Sequence, residues 1–215
     1  MLEDLPVDVV TTSVFRFANP RDDVAALKAL DIDTDNATEM LALLSRTAAP
    51  ETMERLIDGS FEPWNAFGPP YGNPTRFSDG TWPVCYTGLD QGTAEDEIRY
   101  HRGKSFAAGG TGVLVVYYHL IEIDCSTDTI DLRPYGKKWP ELAEPDEAKG
   151  YPFCQTLGRE AREQNIGAFL TQSARRAPGT NAPVFKRAAL VRPQSRRRAA
   201  FIVDFDVDEI RVEWM

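Results

Sequence analysis

Cysteine and histidine are scarce here: the 215 residues hold three of the first and two of the second. Cys85, Cys125 and Cys154 form no CxxC pair, and their odd number argues against a disulfide framework. His101 and His119, with no acid at ligand spacing, are a poor set for a metal ion. No apolar run approaches the roughly 20 residues that a membrane helix needs. No charged start is followed by an apolar stretch, so no secretory signal is expected. Positive charge is also short. The 24 Lys and Arg against 33 Asp and Glu leave −9, the wrong sign for a chain whose partner is a phosphate backbone. A reduced, cytoplasmic protein that binds neither nucleic acid nor membrane is the expectation. Repeats and low-complexity linkers are lacking as well. Gly109-Gly110-Thr111-Gly112 has no lysine of a phosphate loop and precedes a strand, so it reads as a turn.

What is present suits one domain with a real core, burying about 70% of its extended surface. The charge is uneven. Between Gln164 and Val203 there are eight basic residues and no acid, so the remainder carries −17. That strip is either a solvated basic edge, or a positive wall for a diphosphate or an acidic partner.

Hydrophobic spacing predicts a strand over Val9–Phe17 and helices over Arg21–Leu30, Asn36–Arg46 and Pro50–Gly59. Phe61–Thr75, rich in proline, glycine and aromatic residues, reads as a long loop of the ligand-covering kind. A short strand over Val84–Thr87 precedes a helix capped by Thr93 and running to about Lys104. Gly112–Asp124 is the strongest strand, and Pro134–Pro145 holds at most one helical turn. Tyr151-Pro152 opens a helix to Gln164. Strands follow over Gly167–Thr171, Val184–Val191 and Ala199–Val207, with Arg211–Trp214 a continuation. Helix and strand do not alternate regularly, which predicts a single α+β domain with a mixed, mainly antiparallel sheet.

Two polar islands carry the chemistry. The first holds Arg76, Tyr86 and Glu97. Ala94, Glu97, Ile98 and His101 fall at i, i+3, i+4 and i+7, so the acid shares the apolar face of its helix. A buried carboxylate is costly unless partnered, so Glu97 is either a structural pair or a group reserved for a substrate. Arg76 precedes Phe77-Ser78-Asp79-Gly80, in which Asp-Gly supplies a reversal, and Arg16 stands between Phe15 and Phe17 at a strand end. Two such cations suit phosphate oxygens. Tyr86 is an ordinary core tyrosine or an aromatic that stacks on a base. The second island is Thr171-Gln172-Ser173-Ala174-Arg175-Arg176. No Gly-x-Ser-x-Gly elbow surrounds Ser173, which disfavours a serine hydrolase. Cation, aromatic, acid and hydroxyl together fit an anionic, ring-bearing ligand such as a dinucleotide.

Several of these stretches match one pattern in order. Val14-Phe15-Arg16-Phe17, Arg76-Phe77-Ser78, Val84-Cys85-Tyr86 with Thr93-Ala94-x-x-Glu97, and Gln172-Ser173-Ala174-Arg175-Arg176 resemble the RES-domain family. Tyr151-Pro152-Phe153-Cys154 through Arg162, Ile166-Gly167, and Gly179 through Phe185 are similar to its closing section. The likeness spans roughly residues 14–191. That family is named for its arginine, glutamate and serine, and comprises the toxins of RES–Xre toxin–antitoxin pairs. The resemblance implies an ADP-ribosyltransferase-like fold and an enzyme that consumes NAD as substrate, without a further cofactor. It implies that Arg16, Phe17, Arg76, Tyr86, Glu97 and Ser173 line the NAD cleft, with Glu97, Arg76 and Ser173 catalytic. It also implies an Xre-type antitoxin partner. Phe17 stands where many relatives have tyrosine, and the stretch over about 21–59 is a helical insertion, leaving open a lid or a homodimer face. Hydrolysis of NAD to nicotinamide and ADP-ribose is the first expectation. Transfer of ADP-ribose to an acceptor is the second, and a non-catalytic nucleotide-binding module is the alternative from another class.

Overall fold

A computed structural model describes residues 1–18, 66–67, 74–106, 112–207 and 209–215. The three helices expected between residues 21 and 59, and nearly all of the Phe61–Thr75 loop, lie outside the described residues. Seven strands form one mixed sheet in the order β1-β2-β5-β4-β3-β6-β7. They are β1 (Asp8–Ala18), β2 (Cys85–Gly88), β3 (Val113–Asp131), β4 (Ala168–Gln172), β5 (Thr180–Val184), β6 (Leu190–Asp204) and β7 (Glu209–Trp214). Two α-helices are described, α1 (Gln91–Phe106) and α2 (Glu147–Glu163). The fold is α+β. The chain divides into two compact units: residues 1–16, 66–97 and 123–192, and residues 17–65, 98–122 and 193–215.

In the first unit β2 pairs antiparallel with β5, aligning Tyr86 with Pro183 and Gly88 with Asn181. β5 pairs antiparallel with β4, where Thr171 faces Asn181. β4 lies parallel to β3, so α2 serves as the crossover between them. α2 forms because Asp146 caps it, its side chain accepting from the Ala148 N–H at 3.0 Å. Cys154, Leu157, Gly158 and Ala161 make one buried stripe. Leu157 is fully enclosed with Ile130, Phe77 and Phe169, a side chain whose burial contributes about 1.5–3 kcal/mol. The helix starts at Glu147, four residues earlier than the Tyr151-Pro152 start expected. Pro152 lies inside it, and the Asp146 cap together with the buried stripe offsets the lost backbone donor.

The loop before β2 is built around a tight bridge between Thr75 and Ser78. Asp79-Gly80 makes the predicted reversal, with Gly80 at φ 92° and Asp79 Oδ1 accepting from Thr81. α2 grips this loop from below. Gln155 Nε2 donates to the Thr75 and Ser78 carbonyls, and a Cβ at Gly158 would collide with the Phe77 carbonyl oxygen.

In the second unit, Phe17, Tyr118, Phe201 and Trp214 pack as an aromatic cluster with centroids 4.9–6.4 Å apart. β6 and β7 form a hairpin from Ala199↔Trp214 to Asp204↔Glu209. The strand expected over Val184–Val191 is broken: Val184 closes β5, Arg187–Ala189 form a 3₁₀ turn, and β6 runs from Leu190 without a break into the stretch expected over Ala199–Val207, ending at Asp204. His119 is buried with Nδ1 3.1 Å from Ser195 Oγ. Burial, with the Arg198 charge adding to it, lowers its pKa to about 4.

Candidate active site

Every sequence-derived candidate except Phe17 lies in the first unit. Phe17 instead sits 7% exposed in the second unit's aromatic cluster.

Glu97 rides on the second turn of α1. Asp90, not Thr93, caps this helix: its side chain accepts from Thr93 N–H at 2.8 Å and from the Thr93 hydroxyl at 2.7 Å. Burial opposes ionisation of Asp90, yet these bonds from Thr93 hold its carboxyl below the ordinary range. Thr93 and Ala94 are buried and Glu97 half-buried, while His101 is exposed, so the inward face is narrower than the spacing predicted. The Oε1 atom of Glu97 receives two hydrogen bonds: from Ser173 Oγ at 2.7 Å and from Asn181 Nδ2 at 2.6 Å. Both donors are neutral. Both come from the sheet, Ser173 just beyond β4 and Asn181 from β5.

Ser173 is 8% exposed and its hydroxyl is fully committed. The chain folds back after β4, Ser173 N–H reaching the Gly179 carbonyl at 2.9 Å. The Arg175 and Arg176 N–H groups then donate to Ser173 Oγ at 3.1 and 3.2 Å. With both lone pairs accepting, the single hydroxyl proton goes to Glu97. This loop docks on the start of α1. The Arg176 guanidinium lies where a Cβ on Gly92 would come within 2.8 Å, and pairs with Asp96 at 2.9 Å.

Tyr86 and Arg76 make a second corner. The Tyr86 hydroxyl accepts from Phe77 N–H and donates to Thr75 Oγ1, both at 2.8 Å. Enclosure of that hydroxyl end pushes its pKa far above the ordinary tyrosine value. Arg76 is thereby held with Nη1 donating to the Glu141 and Leu142 carbonyls, at 3.2 and 3.3 Å, and Nη2 donating to Glu144 at 2.8 Å. These carbonyls belong to the 3₁₀ turn Pro140–Ala143 and its exit. The Tyr151 ring lies beneath the guanidinium, 5.3 Å from its carbon. Carbonyl acceptors orient the cation without cancelling its charge. Arg16 projects from β1, and its Nη1 donates to Cys85 Sγ at 2.9 Å, a weak acceptor.

Three of the eight basic residues in the strip are answered by acids. Arg176 pairs with Asp96, Arg192 with Asp124 and Arg196 with Glu122, while Arg197 covers the Trp214 ring. The solvated-edge reading is the better one for these residues. Among the described residues no group of three His, Cys, Asp or Glu could hold a metal ion, and no helix is long and apolar enough to cross a membrane.

A model of the RES domain matches residues 51–208 of this chain. The chain belongs to the RES-domain family. Within the family match lie Arg76, Tyr86, Glu97 and Ser173; Arg16 and Phe17 precede it. The RES match also continues past the 191 expected, beyond the end of β6. No curated protein matches. Among solved structures, the crystal structure of the M.tuberculosis MbcT-MbcA toxin-antitoxin complex is similar at a TM-score of 0.49 and 15% identity, over 90% of this chain and 86% of that one.

Sequence reasoning missed Asn181. It stands in a strand that begins before the predicted Val184, and Pro183 obscured that strand. A lone amide among apolar strand neighbours was the available signal.

Proposed function

We propose that this RES-domain protein is the toxin of a toxin–antitoxin pair and hydrolyses NAD to nicotinamide and ADP-ribose. Family membership supports the toxin class and an NAD-consuming chemistry. The single observation that carries the reaction is the Glu97 carboxylate, fixed through Oε1 by Ser173 and Asn181. When the bond between ribose C1 and the nicotinamide nitrogen breaks, its electron pair leaves with the ring, which becomes neutral. Positive charge develops on C1 and the ring oxygen, as in glycoside hydrolysis. A carboxylate about 4 Å away, at an effective dielectric near 20, favours that charge by up to roughly 4 kcal/mol. This corresponds to almost a thousandfold in rate, spent on the transition state rather than on the ground state. Water then bonds to C1 and releases a proton.

Arg16 and Arg76 supply positive charge for the diphosphate. Tyr86, half-exposed, offers a ring face to a base or to nicotinamide. Ser173 acts as a donor that aims Glu97, not as a nucleophile. The antitoxin of Xre type follows from the family alone, since Arg176, Arg192 and Arg196 of the basic strip already pair with acids of the chain.

Incubating the purified protein with NAD and resolving products by chromatography tests the reading. Equimolar nicotinamide and free ADP-ribose are expected without any added acceptor. Nicotinamide release that requires an acceptor protein would move the assignment to transfer. Absence of both products would reject an NAD-consuming enzyme.

A further inference from the structure

Asn181 is not one of the three residues for which the family is named, yet its contact with Glu97, Nδ2 to Oε1 at 2.6 Å, is shorter than that of Ser173 at 2.7 Å. Its amide can face only one way. Reversing it would set Asn181 Oδ1 against the Glu97 oxygen, two acceptors with no proton between them. The orientation that satisfies Glu97 leaves Oδ1 buried with no partner among the described residues. Directly across the strand pair, Thr171 is 1% exposed and its Oγ1 is likewise buried without a partner. A buried acceptor left unsatisfied lowers stability, and native chains rarely keep one without return. An apolar residue of similar shape at position 181 would remove that penalty. It would also remove the donor.

We infer that Asn181 is the positioning residue of the site: with Ser173 it forms a two-donor clamp that fixes the Glu97 carboxylate in its reactive setting, at the expense of fold stability. Two donors on one oxygen, reaching it from two different strands, define the direction of that carboxylate in a way that one donor cannot. α1 carries Glu97 on a side chain with three rotatable bonds, and the sheet fixes where it ends. The inference rests on the proposed reaction only for its kinetic readout.

The test uses Asn181→Ala, Asn181→Leu, Ser173→Ala and the double Asn181→Ala/Ser173→Ala in the full chain. Nicotinamide release from NAD by the unaltered protein is measured first. Asn181→Ala is expected to lower kcat about 10- to 100-fold with KM changed less than about threefold, the range of one hydrogen bond to a charged group. The Tm of Asn181→Leu is expected at or above that of the parent. The double variant should lose less than the product of the two single losses, because both side chains hold the same oxygen. Unchanged kcat in Asn181→Ala, or a loss confined to Tm, overturns the inference. If the unaltered protein releases no nicotinamide, the proposed reaction fails and the clamp is judged by crystallography instead. Crystals of Asn181→Ala should then show the Glu97 carboxylate turned away from Ser173, and a carboxylate still in place rejects the clamp.

Discussion

The Glu97 corner and the Arg76 corner are built by opposite means. At Glu97 the donors Ser173 and Asn181 are side chains, and a single substitution can delete either contact. At Arg76 all three acceptors are main-chain carbonyls, which no substitution removes. The contrast separates two jobs. Main-chain acceptors suit a cation whose first duty is to pin the loop between Thr75 and Trp82 to the turn over residues 140–143. Side-chain donors suit an acid whose direction is tuned and whose charge must meet a substrate. The two corners are also unequal in tolerance: the carbonyl cage depends on arginine geometry, whereas the clamp depends on three separate side chains.

The largest expected effect tests the acid. Glu97→Gln keeps the shape and an acceptor for both donors but removes the charge. Nicotinamide release should fall by roughly a thousandfold, about 4 kcal/mol in barrier, while Tm stays within about 4 °C of the parent. Ordinary turnover in this variant would erase the distinction between the corners. Next comes Arg76→Met, which retains the stem and abandons three part-buried carbonyls. Urea unfolding should show a stability loss of about 3 kcal/mol. Parental stability would mean that the cage holds nothing.

The smallest effect sharpens the second corner. Tyr86→Phe removes one bond given and one received, about 1 kcal/mol near neutral pH, read by urea unfolding. It should also change the response to alkali. Burial keeps the proton on Tyr86 in the folded chain, whereas the unfolded phenol ionises near pH 10. Above about pH 10 the unfolded chain therefore binds fewer protons than the folded one, and stability falls as pH rises. Between about pH 10 and 11 the parent should lose stability more steeply than Tyr86→Phe. Parallel curves would show that this hydroxyl titrates freely.

Much of this was legible in the chain, because strands with crowded apolar residues and an acid on a helical apolar face are local signals. Glu97 and Ser173 stand out in that way, and the structure brings them within 2.7 Å. The α2 start was hidden by Gly150 and Pro152, which oppose a helix locally and yield to the Asp146 cap and the buried stripe from Cys154 to Ala161. The cap of α1 was misassigned by three residues because Asp90 and Thr93 both carry cap chemistry and hydrogen-bond each other. Arg76 gave no local sign of its carbonyl cage, since the acceptors lie 65 to 68 residues away. Asn181 was obscured for the same reason: its partner is set by sheet register rather than by neighbours in sequence.

Ser173 has one further consequence. An oxygen that already accepts from two amides and gives its proton to a carboxylate has no electron pair to spare for an incoming electrophile. Sulfonyl fluorides and fluorophosphonates, which label the nucleophile of serine hydrolases, should leave the peptide that carries Ser173 at its unmodified mass.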